Sequence, residues 1–172
     1  EIGYNLYIRK IAMSNDLFDV SELSEAAVNE ANSTNIIPCP EGEFPAIIKK
    51  FDIRAWSKDD RSGVMLDVHL DIDDANAREA TQRDEVIVRH SCSLDVVKGP
   101  NGKPIIDTKP GTNVDLGRLR AATNLNSPGQ AFNLNMLIGQ PVKVLVTHRQ
   151  NQDNPEEVYA EVKRGKVKSI NS

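Results

Sequence analysis

From about residue 43 to residue 168 the chain alternates apolar and polar positions in short runs, the mark of strands with one buried face. The clearest run is 64–72: Leu66, Val68, Leu70 and Ile72 fall on one side, and Asp67, His69, Asp71 and, just beyond, Asp73 on the other. A strand over 43–54 precedes it and ends near Trp56, followed by a polar turn at 57–63. Residues 73–84 are a polar connection with room for a helical turn. A third strand over 85–97 sends Val86, Val88, His90, Cys92, Leu94 and Val96 one way and Ile87, Arg89, Ser91, Ser93 and Asp95 the other. Gly99-Pro100-Asn101-Gly102 is a strong turn signal, and the loop after it holds one short extended piece at Ile105-Ile106.

The period then changes. Asn113 stands where a helix N-cap is expected, and 114–124 predicts a helix with Leu116, Leu119 and Ala122 inward and Arg118 and Arg120 projecting. Ser127-Pro128-Gly129 predicts the restart of a second helix, with Ala131, Phe132, Leu134, Leu137 and Ile138 in the core and Gly139 and Pro141 ending it. A fourth strand over 142–149, a polar hairpin loop over 150–157 and a fifth strand over 158–168 complete the chain. In the fifth strand Val158, Ala160 and Val162 face inward, and Tyr159, Glu161 and Lys163 outward. Strands with one solvated face imply an antiparallel sheet. The order β-β-β-α-β-β predicts an all-β fold with a helical insert, a five-stranded OB-like Greek-key barrel over 38–170. A β-sandwich is the competing architecture and accommodates a helical insert less well.

Ahead of the barrel, 16–32 predicts a short acidic helix, with Val20, Leu23 and Ala27 as a partial apolar stripe, inside an acidic segment spanning 13–37. Residues 1–12 place Arg9 and Lys10 after their apolar positions, the reverse of a secretory signal. They are expected to be a leader or an over-extended start, with Met13 as the natural beginning. The formal net charge is −4, and six acids among residues 1–33 against Arg9 and Lys10 account for it. The body is neutral, so any basic surface must come from local arrangement. No run approaches the length of a membrane-spanning helix. Cys39 and Cys92 are too few for a disulfide framework and fit two buried thiols in a reducing compartment. His69, His90 and His148 lie far apart in sequence and show no metal-ligand spacing, and no cofactor motif appears.

Two chemistries remain to weigh. Asp67, Asp71 and Asp73 share a strand face, and clustered carboxylates can hold Mg²⁺ against a phosphate. Their spacing of about 7 Å per two residues is wide for one ion, and a solvated strand face explains the row as well. The stronger pattern is basic residues interleaved with aromatics, the composition that grips single strands through phosphates and base faces. With only eight aromatics in the chain, those placed beside cations are informative. Lys49, Lys50, Phe51, Arg54 and Trp56 form one group; Arg89 lies on the third strand, and Lys143 and Arg149 on the fourth. Tyr159, Lys163, Arg164 and Lys166 form the densest cluster, on the fifth. The acidic outer row of the second strand opposes this reading.

The stretches Pro40-Glu41-Gly42-Glu43-Phe44-Pro45-Ala46, Leu137-Ile138-Gly139-Gln140-Pro141-Val142-Lys143-Val144 and Tyr159-Ala160-Glu161-Val162-Lys163 resemble phage-encoded single-stranded-DNA-binding proteins of the OB-fold type. The resemblance covers about residues 38–168. It implies sequence-nonspecific binding of single-stranded DNA in phage replication or recombination, within the host cytoplasm and without catalysis. It implies a polymerase, helicase or recombinase as protein partner, and leaves a homo-oligomer open. One departure stands out: many such proteins end in an acidic tail, whereas here the acidic segment is N-terminal and the end is basic. The alternatives are a protein-interaction or virion structural module on the same barrel, and a Mg²⁺-dependent nuclease.

Overall fold

The computed structural model describes residues 24–34 and 36–172. The expectations for residues 1–12 and for a helix over 16–23 lie outside the described residues. The chain divides into two units, Glu1–Thr34 and Asn35–Ser172. In the first, the described part has a single 3-10 turn at residues 24–25 and no α-helix, so the predicted helix does not extend over 26–32. Val28 is exposed there.

The second unit is the barrel. Its strands are β1 (Gly42–Lys58), β2 (Arg61–Ile72), β3 (Ile87–Leu94), β4 (Val96–Lys98), β5 (Pro104–Ile106), β6 (Pro141–Gln150) and β7 (Val158–Ser169). Its helices are α1 (Ala75–Thr81) and α2 (Val114–Ala122), with a 3-10 turn at Leu134–Leu137. Five strands close in the order β1-β2-β3-β7-β6, and β4 and β5 form a separate two-stranded sheet. This is the five-stranded OB-like barrel that the element order predicts. The expectation of a purely antiparallel sheet is corrected at one junction, because β3 and β7 run parallel.

The inward rows are those of the alternation. Leu66, Val68, Leu70 and Ile72 meet Val88, His90, Cys92, Val142, Val144, Val146 and Val162 in one core, closed by Leu116, Leu119 and Leu137. Burying such side chains is worth about 1.5–3 kcal/mol each, which is why each strand keeps its phase. The phase slips twice. Register skips between Ile48 and Lys50 on β1, so Lys49 and Lys50 both face outward before Phe51 turns back to the core. It skips again where Val144 pairs with Val167 but Val146 pairs with Val162, leaving 163–166 opposite Leu145 alone.

Three further differences have local causes. The β1–β2 hairpin runs on to a two-residue turn at Asp59-Asp60, because Trp56 pairs with Gly63 and Lys58 with Arg61, so the expected turn at 57–63 is mostly strand. The expected second helix is only the 3-10 turn. Gly139 N–H donates to the Ile48 carbonyl and Ile48 N–H to the Gln140 carbonyl, drawing this segment onto β1 before a helix can propagate. Leu137 is buried as expected, whereas Ile138 is exposed. The third strand breaks at Asp95, so Val96 leaves the core row and joins β4.

Candidate nucleic-acid interface

The outward row of β2 is not the solvated acidic face that alternation suggests. Asp67 and Asp71 are nearly as buried as the core. Asp67 Oδ2 accepts from Arg54 Nε at 2.5 Å, and Asp67 Oδ1 accepts from Ser91 Oγ at 2.5 Å. Burial pushes the Asp67 carboxyl up, but the Arg54 and Ser91 hydrogen bonds and the charges of Arg54 and Arg89 outweigh it and hold the group below its ordinary 3.8. Asp71 accepts the Val86 N–H at 3.1 Å, Asp73 faces Arg78 at 3.3 Å, and His69 faces Asp52 at 2.9 Å. Each carboxylate in the row therefore has its own donor. Among the described residues no cluster of three or more acidic, His or Cys side chains could hold a metal ion, so Asp67, Asp71 and Asp73 form no nuclease cage.

The sequence-predicted cations separate into three groups. Lys49 pairs with Glu85 at 2.9 Å, and Lys50 stands beside His69 across the β1–β2 ladder. Arg54 is tied to Asp67, and Phe51 packs against the core, so its ring is not the outward base platform that its basic neighbours suggest. Trp56 lies across its partner strand: a Cβ on Gly63 would come within 2.9 Å of the indole Nε1. That Nε1–H is buried without an acceptor among the described residues. Lys143 and Lys168 are directly paired at the opposite end of β1, where Lys168 bonds Glu43 at 2.7 Å and Lys143 bonds the Ser172 carbonyl. They do not share one edge with Arg54 and Trp56, because Lys143 is in register with Pro45, on the half of β1 that pairs with β6.

The third group gathers at the parallel junction of β3 and β7, which pair directly only at Arg89 and Glu161. A cavity of about 380 Å³ is lined by His69, Ile87, Arg89, Tyr159 and Glu161. A neighbour of about 290 Å³ shares Arg89, Tyr159 and Glu161 and adds Arg149 and Gln150 at the end of β6 and residues 151–153 of the β6–β7 loop. Further along the same two strands, about 300 Å³ opens between Ser93 on β3, Arg164 on β7, and Asp115 and Arg118 on α2. Tyr159 is 44% exposed, and its tip is held: its hydroxyl donates to Glu157 at 2.7 Å and accepts from Asn151 at 3.3 Å. Anchored this way, the ring can offer a π-face without paying much entropy on binding. The ion pair of Arg149 with Glu161, 3.8 Å apart and exposed on both sides, is worth about 0–1 kcal/mol at most and yields readily to a phosphate.

Sequence reasoning missed Arg118, Asp115 and Ser93 as members of this surface. Arg118 was legible only as an outward helix residue. Asp115, on the first turn of α2, gave no sign that it would be buried. Both thiols are buried and held protonated: burial pushes Cys92 up to about 12, and burial with the nearby Asp74 charge pushes Cys39 up to about 11. Among the described residues no helix is long and apolar enough to cross a membrane.

The fold and this surface define a class, an OB-like closed barrel with a cationic and aromatic cleft along its one parallel junction. No protein-family model matches the chain, and no curated protein matches it.

Proposed function

We propose that the protein binds single-stranded DNA without sequence preference, along the β3–β7 junction rather than along an edge of β1. The observation that carries this reading is the run of clefts along one parallel junction, with Tyr159 exposed between Arg89 and Arg149 and with Arg118 and Arg164 further on. Phosphates need cations, and bases need a flat face with little sequence-reading hydrogen bonding. The acidic row of β2 no longer counts against the proposal, since Asp67 and Asp73 are paired with Arg54 and Arg78 and Asp71 accepts the Val86 N–H. The resemblance to phage-encoded single-stranded-DNA-binding proteins supports it and extends it to replication or recombination in a host cell, with a polymerase, helicase or recombinase as partner.

The test is fluorescence anisotropy of labelled oligo-dT over a salt series. Binding is expected to weaken as salt rises, through counterion release. Tyr159→Ala is expected to cost about 1–3 kcal/mol, the worth of one base stacked on an aromatic ring, with the salt slope unchanged. Wild-type binding no tighter than about 10⁻⁴ M at moderate salt defeats the proposal.

A further inference from the structure

The cleft at α2 has features that a purely structural ion pair does not explain. Asp115 has a side chain only 7% exposed and is held twice: Arg118 Nη1 donates to Oδ1 at 3.1 Å, and Arg164 Nε donates to Oδ2 at 2.6 Å. One arginine would suffice to neutralise one carboxylate, and a second guanidinium beside the first adds repulsion. Both arginines remain open to solvent, Arg118 at 53% and Arg164 at 77% side-chain exposure. Arg164 holds Asp115 through Nε alone, which leaves its two terminal Nη groups as the planar fork that matches phosphate oxygens.

The backbone is shaped to the same end. A regular strand would bury every second residue, but the bulge over 163–166 leaves Lys163, Arg164 and Lys166 all exposed within four residues. Gly165 sits in this bulge at φ +71°, and a Cβ there would lie 2.9 Å from Arg118 Nη1, so the glycine is what lets the Arg118 guanidinium lie over the strand beside Arg164. The lining also includes Asp95, whose carboxylate accepts the Asn113 N–H at 3.2 Å. The two arginines and two aspartates of the cleft balance, and Lys163 and Lys166 are exposed on the strand segment that carries Arg164.

We propose that this cleft binds one phosphodiester of the DNA strand through the Nη groups of Arg164 and Nη2 of Arg118, with Asp115 as positioning residue and Gly165 as the residue that makes room. The site rests on the proposed function and deepens it. It adds a phosphate anchor beyond the Tyr159 cleft and sets the strand's direction of travel along β7.

Oligo-dT anisotropy over a salt series separates the two claims. The double variant Arg118→Gln, Arg164→Gln is expected to lower the magnitude of the log Kobs against log salt slope by about 0.7, one single-strand phosphate contact. Asp115→Asn discriminates by sign. Removing a negative charge near DNA should tighten binding if only net charge matters, whereas loss of the anchor should weaken it several-fold. Gly165→Ala keeps every charge, crowds Arg118 Nη1 and places a side chain at φ +71°, and is expected to weaken binding in the same direction, with far-UV circular dichroism confirming that both variants are folded. Wild-type slope in the double variant, or tighter binding by Asp115→Asn with unchanged binding by Gly165→Ala, overturns the site while leaving the function intact. Failure of the wild type to bind oligo-dT overturns both.

Discussion

At the scale of single residues, alternation assigned sides well and environments poorly. His90 falls in the inward row of β3 as its position predicts, and it is 2% exposed. Burial pushes its imidazole below the ordinary 6.5; the nearby Asp115 charge raises it and the Arg164 charge lowers it, and burial prevails. A group that resists protonation only when folded makes stability fall as pH drops below its unfolded value. The unfolding free energy from urea denaturation is therefore expected to be lower at about pH 5.5 than at about pH 7.5, by at most about 1.4 kcal/mol per pH unit from this one proton. His90→Leu should remove most of that difference; an unchanged difference would mean another group sets the acid limb. Asp67 and Asp71 show where a residue's place in a pattern misleads. Their outward phase was legible, but their burial depends on Arg54 of β1, Ser91 of β3 and the Val86 amide just before β3.

At the scale of elements, the strands and α2 were legible because each has an apolar row of the right period, and the errors fall at ends and connections. Asn113 is at the N-cap position, but it adopts φ 49° and its side chain does not cap α2. Instead Oδ1 accepts the Asp95 N–H at 2.8 Å, and Nδ2 donates to the Asp95 and Asp107 carbonyls at 2.9 and 2.8 Å. It ties the base of the β4–β5 hairpin to the start of the helix. Asn113→Gly keeps the left-handed backbone accessible and deletes these bonds, so it isolates them. A loss of about 1–3 kcal/mol is expected in urea denaturation, the cost of leaving buried backbone groups unpaired; a change under about 0.5 kcal/mol would show that water replaces the side chain. Arg120 acts similarly beyond the helix. It donates to the Leu125 carbonyl at 2.9 Å and stacks 4.3 Å over Phe132, holding the loop where a second helix was expected.

At the scale of the whole molecule, the barrel is unevenly joined. β1 and β2 pair from Ala46–Ile72 to Lys58–Arg61, whereas β3 and β7 meet directly only at Arg89 and Glu161. In native-state hydrogen exchange the β3 amides that face β7 are expected to exchange faster than the β2 amides that face β1, tenfold for each 1.4 kcal/mol of easier opening. Saturating oligo-dT should slow the junction amides first, and slowing confined to β1 would place the ligand elsewhere. The alternating pattern by itself determined that Leu66, Val68, Leu70 and Ile72 of β2 and Val88, Cys92 and Leu94 of β3 enter the core, because alternation is a property of the extended backbone and needs no partner. It also determined the order of elements, and through it the five-stranded barrel. Only the tertiary structure decided that the barrel closes through a parallel junction, that the β7 bulge turns three basic residues outward, and that Asp115 meets Arg164. Those outcomes depend on which strands pair and in what register, and residues 49 positions apart in sequence become neighbours only when that pairing is complete.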